Sequence, residues 1–131
     1  MNAKYEAIAD VSGRILLSAI FIFAGVHKVF HWTETANGMA NVGMVAVPLF
    51  LAATIVVEIA GGLSVATGWR ARWGALALAA FLIPATVVFH AFWKDPGQQI
   101  MFMKNLAIMG GLLVVVGRGA GPLSLGGRKK G

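Results

Sequence analysis

Apolar stretches of about 20 residues recur along the sequence, and they limit the folds open to it more than any other feature. An α-helix needs ~20 apolar residues to cross about 30 Å of hydrocarbon. Of the 131 residues, 58% are hydrophobic and only 12% are charged, which is typical of membrane proteins rather than of small soluble domains. The sequence therefore predicts an all-α, polytopic membrane protein built as a bundle of four transmembrane helices.

Local signals give the bounds of these helices. Pro48 suits the first turn of a helix, Gly68 suits a helix end, and Pro84 predicts a kink inside the third span. Residues 33–47 are too rich in glycine for a span, so we predict a loop that is partly helical. We predict a short interfacial helix at residues 1–11, followed by spans at about residues 12–30, 48–68, 74–93 and 98–116. These form one transmembrane domain of residues 1–117, and a flexible basic tail follows at residues 118–131.

The basic residues indicate the orientation of the bundle, because cytoplasmic loops carry an excess of lysine and arginine. The formal net charge is +6. One side of the predicted bundle collects Lys4, Arg14, Arg70, Arg72, Arg118, Arg128, Lys129 and Lys130, against Lys28, Lys94 and Lys104 on the other. Both termini are therefore predicted to be cytoplasmic. The basic residues lack interleaved aromatic residues, so we expect the lipid bilayer, and no nucleic acid, as their partner.

Glu58 lies near the midpoint of the second span, where a charge costs roughly 2.5–3.5 kcal/mol on insertion scales and usually faces the bundle interior. Lys28 and His90 are predicted within about one helical turn of the outer boundary. Lys104 should lie about 9 Å deep and Glu58 about 15 Å deep. We predict Lys104 as the main partner of Glu58 and Lys28 as the second. With Asn105, these side chains predict an outward-facing polar pocket that binds a ligand.

Two interpretations of the buried charges stay open. In the first, Glu58 and one lysine pair only to fix the register of the bundle. In the second, the carboxylate, the lysines, the histidine and the asparagine exceed what register requires, and they mark a ligand or proton path. No catalytic residue is identified. His27 and His31 are four residues apart, but no carboxylate follows at ligand spacing, so we predict no metal site.

Several short motifs, in their order and spacing, resemble the DoxX family of small four-helix bacterial membrane proteins. They are Gly13-Arg14, Gly25-Val26-His27-Lys28, Glu58-Ile59-Ala60-Gly61-Gly62 with Gly68 and Arg72, Phe89-His90-Ala91-Phe92-Trp93, and Lys104-Asn105-Leu106-Ala107 with Gly110-Gly111. The resemblance covers about residues 13–117. It implies a multi-pass protein of the bacterial inner membrane. The family includes a subunit of a thiosulfate:quinone oxidoreductase and a partner of redox enzymes in a membrane complex.

We therefore expect a membrane subunit of a redox system that binds a quinone or a small anion in the pocket and works with a soluble or membrane redox partner. If it is an enzyme, it is expected to be a quinone-linked oxidoreductase subunit with a quinone as cofactor. The sequence contains no cysteine, so a thiol relay within this chain is excluded.

The alternative is a non-catalytic membrane protein, either a scaffold for a soluble enzyme or a small-molecule carrier whose buried charges are structural or line a path. The glycine pairs at residues 61–62 and 110–111 are compatible with a homodimer. They are equally compatible with close packing inside one bundle.

Overall fold

The computed structural model describes residues 2–125, and this part of the chain is a helical bundle without strands. The helices are α1 (Ala3–Phe30), α2 (Trp32–Asn41), α3 (Val47–Thr67), α4 (Ala71–Phe89) and α5 (Gln99–Arg118), with a 3-10 turn at Pro96–Gln98 before α5. All except the short α2 are long and apolar enough to cross a membrane. The predicted four-helix membrane bundle is confirmed, whereas the cytoplasmic placement of the termini stays a prediction.

The first helix begins earlier than the predicted first span. The side chain of Asn2 caps it by accepting a hydrogen bond from the amide of Lys4 at 2.8 Å. Residues 3–12 contain neither glycine nor proline, so nothing interrupts the helix before it enters the apolar stretch. The residues predicted as a short interfacial helix do not form a helix of their own, because residues 3–11 are the first turns of α1.

The α3–α4 hairpin follows the sequence signals closely. Gly68 ends α3 with a φ of 82°, a left-handed conformation that glycine adopts without steric cost. The Ser64 hydroxyl lies 2.7 Å from the carbonyl oxygen of Trp69, to which it donates, and this contact holds the turn against α3. α4 ends at Phe89 rather than at the predicted Trp93, which leaves His90 as the residue that caps its C-terminus.

The four long helices pack in chain order, with α1 on α3, α3 on α4 and α4 on α5. Their shared core fills the half of the bundle near the termini. Its buried members are Phe21, Val65, Ala71, Ala75, Leu78, Ala79, Leu82, Leu112 and Val115. Gly61 and Gly62 face this interior, where Leu78 and Ile22 pack against them, so this glycine pair serves packing within the bundle.

A second cluster closes the bundle at the end near the termini. Arg14 is 2% exposed, and its guanidinium donates to the carbonyl oxygens of Val65 at 3.0 Å, Ala66 at 2.9 Å and Leu123 at 2.7 Å. It also forms an ion pair with Asp10 at 2.9 Å. We call these groups the Arg14 cluster. Because the final carbonyls of a helix lack partners within it, the guanidinium completes the hydrogen bonding of α3.

The segment after α5 is held to the same end of the bundle. The amide of Gly121 donates to the Asp10 carboxylate at 2.9 Å, and the amide of Leu125 donates to the carbonyl of Thr67 at 2.9 Å. The predicted flexible tail at residues 118–131 therefore does not begin at residue 118, because residues 119–125 are hydrogen-bonded to α1 and α3. The rest of that predicted tail, with Arg128, Lys129 and Lys130, lies outside the described residues.

α1 and α3 approach each other most closely at Gly25. A Cβ atom added there would lie 2.5 Å from Cγ1 of Ile59 and 3.3 Å from Cβ of Glu58, closer than packed carbon atoms allow. We expect Gly25→Ala to destabilise the bundle by about 1–3 kcal/mol, because the two helices must move apart. Unfolding in mixed micelles with an increasing fraction of dodecyl sulfate measures the change in the free energy of unfolding.

Gly110 provides the matched control for this substitution. An added Cβ atom there would meet nothing within 4 Å, so Gly110→Ala should be neutral or stabilising by up to ~1 kcal/mol through helix propensity. Equal destabilisation by the two substitutions would contradict the close approach at Gly25.

Candidate functional site

A cavity of about 640 Å³ lies in the half of the bundle away from the termini, and we call it the distal cavity. All five helices contribute to its wall, which is mostly apolar and includes Phe21, Phe50, Phe81 and Phe89. Its polar lining residues are Lys28, Thr35, Thr54, Glu58, His90 and Asn105. A concave, largely apolar wall with a few convergent polar groups is typical of a binding site for a small organic ligand.

The floor of the distal cavity is an ion pair between Lys28 and Glu58, whose Nζ and Oε1 atoms are 2.8 Å apart. The Glu58 side chain is 6% exposed and that of Lys28 is 24% exposed. Lys28 stands three residues beyond Gly25, on the face of α1 that the glycine brings against α3. The close contact of the two helices therefore supplies the partner that the buried carboxylate requires.

The predicted pairing of Glu58 with Lys104 is wrong, and the second candidate, Lys28, is the partner. α5 packs against α4 rather than against α3, so Lys104 lies across the bundle from Glu58. Lys104 is exposed and is not among the residues that line the distal cavity. Depth along each helix leaves both lysines as candidates, and the order of the helices around the bundle decides which lysine can reach Glu58.

Asn105 lines the middle of the distal cavity and joins α5 to α4. Its Nδ2 atom donates to the hydroxyl oxygen of Thr86, at 3.0 Å, and Thr86 is buried. This bond between a buried hydroxyl and a half-buried amide lies within the membrane span, where an unpaired amide would be costly. Asn105 therefore has a packing role as well as a place in the cavity wall.

His90 follows the last residue of α4 and lines the distal cavity at its end farthest from the termini. Its Nδ1 atom is 2.8 Å from Oε1 of Gln98. Because an amide oxygen only accepts hydrogen bonds, Nδ1 carries the hydrogen, and the neutral ring then has Nε2 as an acceptor. His90 is thereby held in one orientation at the rim of the cavity.

Two of the polar lining residues, Thr35 and Thr54, were not among the predicted site residues. Thr54 lies on α3 four residues before Glu58, so it shares the helical face of the carboxylate, and counting along that face would have found it. Thr35 lies on α2, a helix within the stretch predicted only as a partly helical loop. No sequence signal indicated that this loop covers the cavity.

The electrostatics of the distal cavity are those of a neutral site. Lys28 and Glu58 are the charged residues in its lining, and they neutralise each other. Within residues 2–125, no buried side-chain nitrogen or oxygen lacks a hydrogen-bond partner. The lining therefore combines a mostly apolar wall and no net formal charge with a small number of polar groups.

Comparison with known proteins gives a consistent set of relatives. The family model DoxX matches residues 9–91. The inner membrane protein YqjF of Escherichia coli is 35% identical over 123 residues, which cover 93% of this chain and 92% of the relative. The inner membrane protein YphA of the same organism is 28% identical over 117 residues, covering 86% of this chain and 84% of the relative. No solved structure matches the chain significantly.

A more distant relative comes from a eukaryote. The ER-derived vesicles protein ERV29 of Saccharomyces cerevisiae is 32% identical over 82 residues, which are 59% of this chain and 26% of that protein. The family match itself contains Lys28, Glu58 and His90 and ends before α5. The matched part therefore includes the ion pair at the cavity floor and the histidine at the rim.

Proposed function

Because this chain belongs to the DoxX family and is a multi-pass inner-membrane protein, we propose that it acts as a membrane subunit of a redox system by binding a quinone headgroup in the distal cavity. The observation that carries the proposal is the combination of a mostly apolar wall with a neutralised ion pair at the floor. Such a wall favours a flat, uncharged ring that offers a few hydrogen-bond acceptors.

A quinone has better support than a small anion, the other ligand class considered. A quinone ring is apolar on its faces, which the phenylalanines of the wall can contact, and its carbonyl oxygens accept hydrogen bonds. An anion such as thiosulfate would need a cation that is free to pair with it. Lys28 is already paired with Glu58, and Lys104 lies outside the lining, so the anion would displace an existing ion pair.

Quinone reduction takes up two electrons and two protons. The chain contains no cysteine, so in this proposal the electrons come from a partner protein, which is soluble or membrane-bound. His90 at the rim is suited to relay protons, because an imidazole ring can both accept and donate a proton. The family includes a subunit of a thiosulfate:quinone oxidoreductase, and this likeness supports the redox assignment. In this proposal the chain is a quinone-linked subunit rather than a complete enzyme.

The alternative of a small-molecule carrier has less support. A carrier needs a path across the whole bundle, yet Leu51, Val65, Leu78 and Leu112 are each 0% exposed. Of these, Val65, Leu78 and Leu112 belong to the packed core on the side of the termini. A closed half of this kind favours a binding site that is reached from the other half. No specific contact supports the scaffold or the homodimer.

Direct binding measurements test the proposal. Purified protein in lipid nanodiscs should bind a tritiated, tail-less benzoquinone at sub-millimolar concentration and should not bind thiosulfate. We expect His90→Ala to weaken binding of the reduced probe, the hydroquinone, about fivefold, because Nε2 of His90 can accept a hydrogen bond from its hydroxyl group and the loss of one good hydrogen bond corresponds to about 1 kcal/mol. Lys104→Ala is the matched control, because Lys104 is exposed and outside the lining, and it should change binding less than about twofold.

Two outcomes would contradict the proposal. Failure of the protein to bind any quinone at millimolar concentration would rule out a quinone as its ligand. Binding of thiosulfate that is lost in Lys104→Ala would return the assignment to an anion site. A stable His90→Ala variant that binds the hydroquinone as tightly as the unmodified protein would show that the rim histidine does not contact the ligand.

A further inference from the structure

The two ends of the row of helices, α1 and α5, pack against each other far less extensively than the other neighbouring long helices do. Their contact lies near Leu17 and Gly111, where an added Cβ atom on the glycine would be 3.3 Å from Cδ1 of Leu17. Farther from the termini, Ile20 and Ala24 of α1 and Ile108 of α5 line the distal cavity instead. On the side of this contact away from the termini, residues of both helices therefore line the cavity instead of packing against each other.

Two side chains along this seam, Ile20 and Met101, both line the cavity and are exposed on the surface of the bundle. Ile20 lines the distal cavity and is 44% exposed, and Met101 of α5 lines it and is 37% exposed. α1 and α5 are both apolar enough to span a membrane, so a surface exposed along them at this depth meets lipid rather than water. An opening between them therefore leads to the hydrocarbon of the bilayer.

We infer that the distal cavity opens sideways into the bilayer between α1 and α5, and that this lateral portal holds the apolar tail of a membrane-dissolved ligand whose polar head lies against the groups inside. The inference rests on the proposed function and makes its ligand more specific: a lipid-soluble quinone with a long hydrocarbon tail. The portal is defined by Ile20, Ala24, Met101 and Ile108.

The distribution of polarity in the distal cavity supports this arrangement. The portal residues are all apolar, and polar groups lie next to them on the same helices. Lys28 comes one turn after Ala24 on α1, and Asn105 lies between Met101 and Ile108 on one face of α5. A tail leaving between α1 and α5 would exchange contacts with lipid for contacts with similar side chains, at little cost. A cavity of about 640 Å³ also falls within the range that holds a ligand larger than one ring.

Bulky side chains at the portal test the inference. Ile20→Trp and Ala24→Trp should narrow the opening, and Ala77→Trp on α4 is the matched control, because Ala77 is exposed and outside the lining. Two probes share one dimethoxy-methyl-benzoquinone head, and one of them carries a decyl tail. In nanodiscs we expect the portal variants to weaken binding of the tailed probe at least tenfold more than they weaken binding of the tail-less probe, whereas Ala77→Trp weakens neither.

The outcomes separate the two proposals. If the portal variants weaken both probes equally, or neither, while the unmodified protein binds both, the lateral portal is wrong and the quinone site stands. If the unmodified protein binds neither probe, the proposed function fails and the portal loses its ligand. Ile20→Trp guards against misfolding, because Ile20 is already 44% exposed and is not part of the packed core.

Discussion

Replacement of Arg14 by methionine should destabilise the bundle by about 3–5 kcal/mol, the largest effect that we expect from any single substitution. The guanidinium is 2% exposed and binds the carbonyls of Val65, Ala66 and Leu123 as well as the Asp10 carboxylate. Methionine fills a similar volume but leaves those carbonyls without their donor and the carboxylate without its charged partner, with only the amide of Gly121 still donating to it. Loss of a buried charged partner costs more than the pair contributes, because the remaining groups stay desolvated.

The free energy of unfolding in mixed micelles measures this loss of stability. Two further variants show what causes it. Arg72→Met removes an exposed arginine at the same end of the bundle and should change stability by no more than about 0.5 kcal/mol. Arg14→Lys keeps the charge but lacks the planar fork that reaches several acceptors, so it should recover less than half of the lost stability. If Arg14→Met is no less stable than Arg72→Met, the Arg14 cluster does not hold the bundle together.

The second large effect concerns the ion pair at the cavity floor. Lys28→Met should destabilise the bundle by about 3 kcal/mol, the lower end of the range for a broken buried pair, because Lys28 is partly exposed and Glu58 is not. The double variant Lys28→Met with Glu58→Leu should regain stability to within about 1 kcal/mol of the unmodified protein, since apolar side chains of similar volume often replace a buried pair without net loss. Lys104→Met is the matched control and should be close to neutral.

The double variant also separates the two interpretations of Glu58. If it is stable and still binds the quinone probe, the pair fixes the register of α1 and α3 and has no part in recognition. If it is stable and binds at least tenfold more weakly, the pair belongs to the binding site. A double variant as unstable as Lys28→Met alone would contradict the view that the unpaired carboxylate causes the loss.

The helices themselves could be predicted because their signals are local. Pro48 and Gly68 lie within two residues of the ends of α3, and the apolar lengths of the spans follow from the thickness of the hydrocarbon. The end of α4 was misplaced because residues 90–93 stay apolar enough to continue a span, and hydrophobicity does not report where the backbone leaves the helix.

The partners of the buried charges could not be predicted in the same way. Lys28 and Lys104 both lie at suitable depths, and the choice between them depends on which helix is the neighbour of α3. Arg14 lies near a predicted boundary, so the sequence indicated a marker of topology rather than a buried hydrogen-bond donor. Its acceptors are 51, 52 and 109 residues away along the chain, and only the folded bundle brings them together.

The Arg14 cluster also bears on how the chain is made. Arg14 is synthesised 51 residues before Val65 and 109 residues before Leu123. The first span therefore carries an arginine without its final acceptors until these residues follow, and its hydrogen bonding is complete only after α5 and the segment behind it have been synthesised. A nascent chain that stops short of that segment keeps the arginine incompletely paired, which gives membrane proteases a chemical difference by which to distinguish unfinished molecules from complete ones.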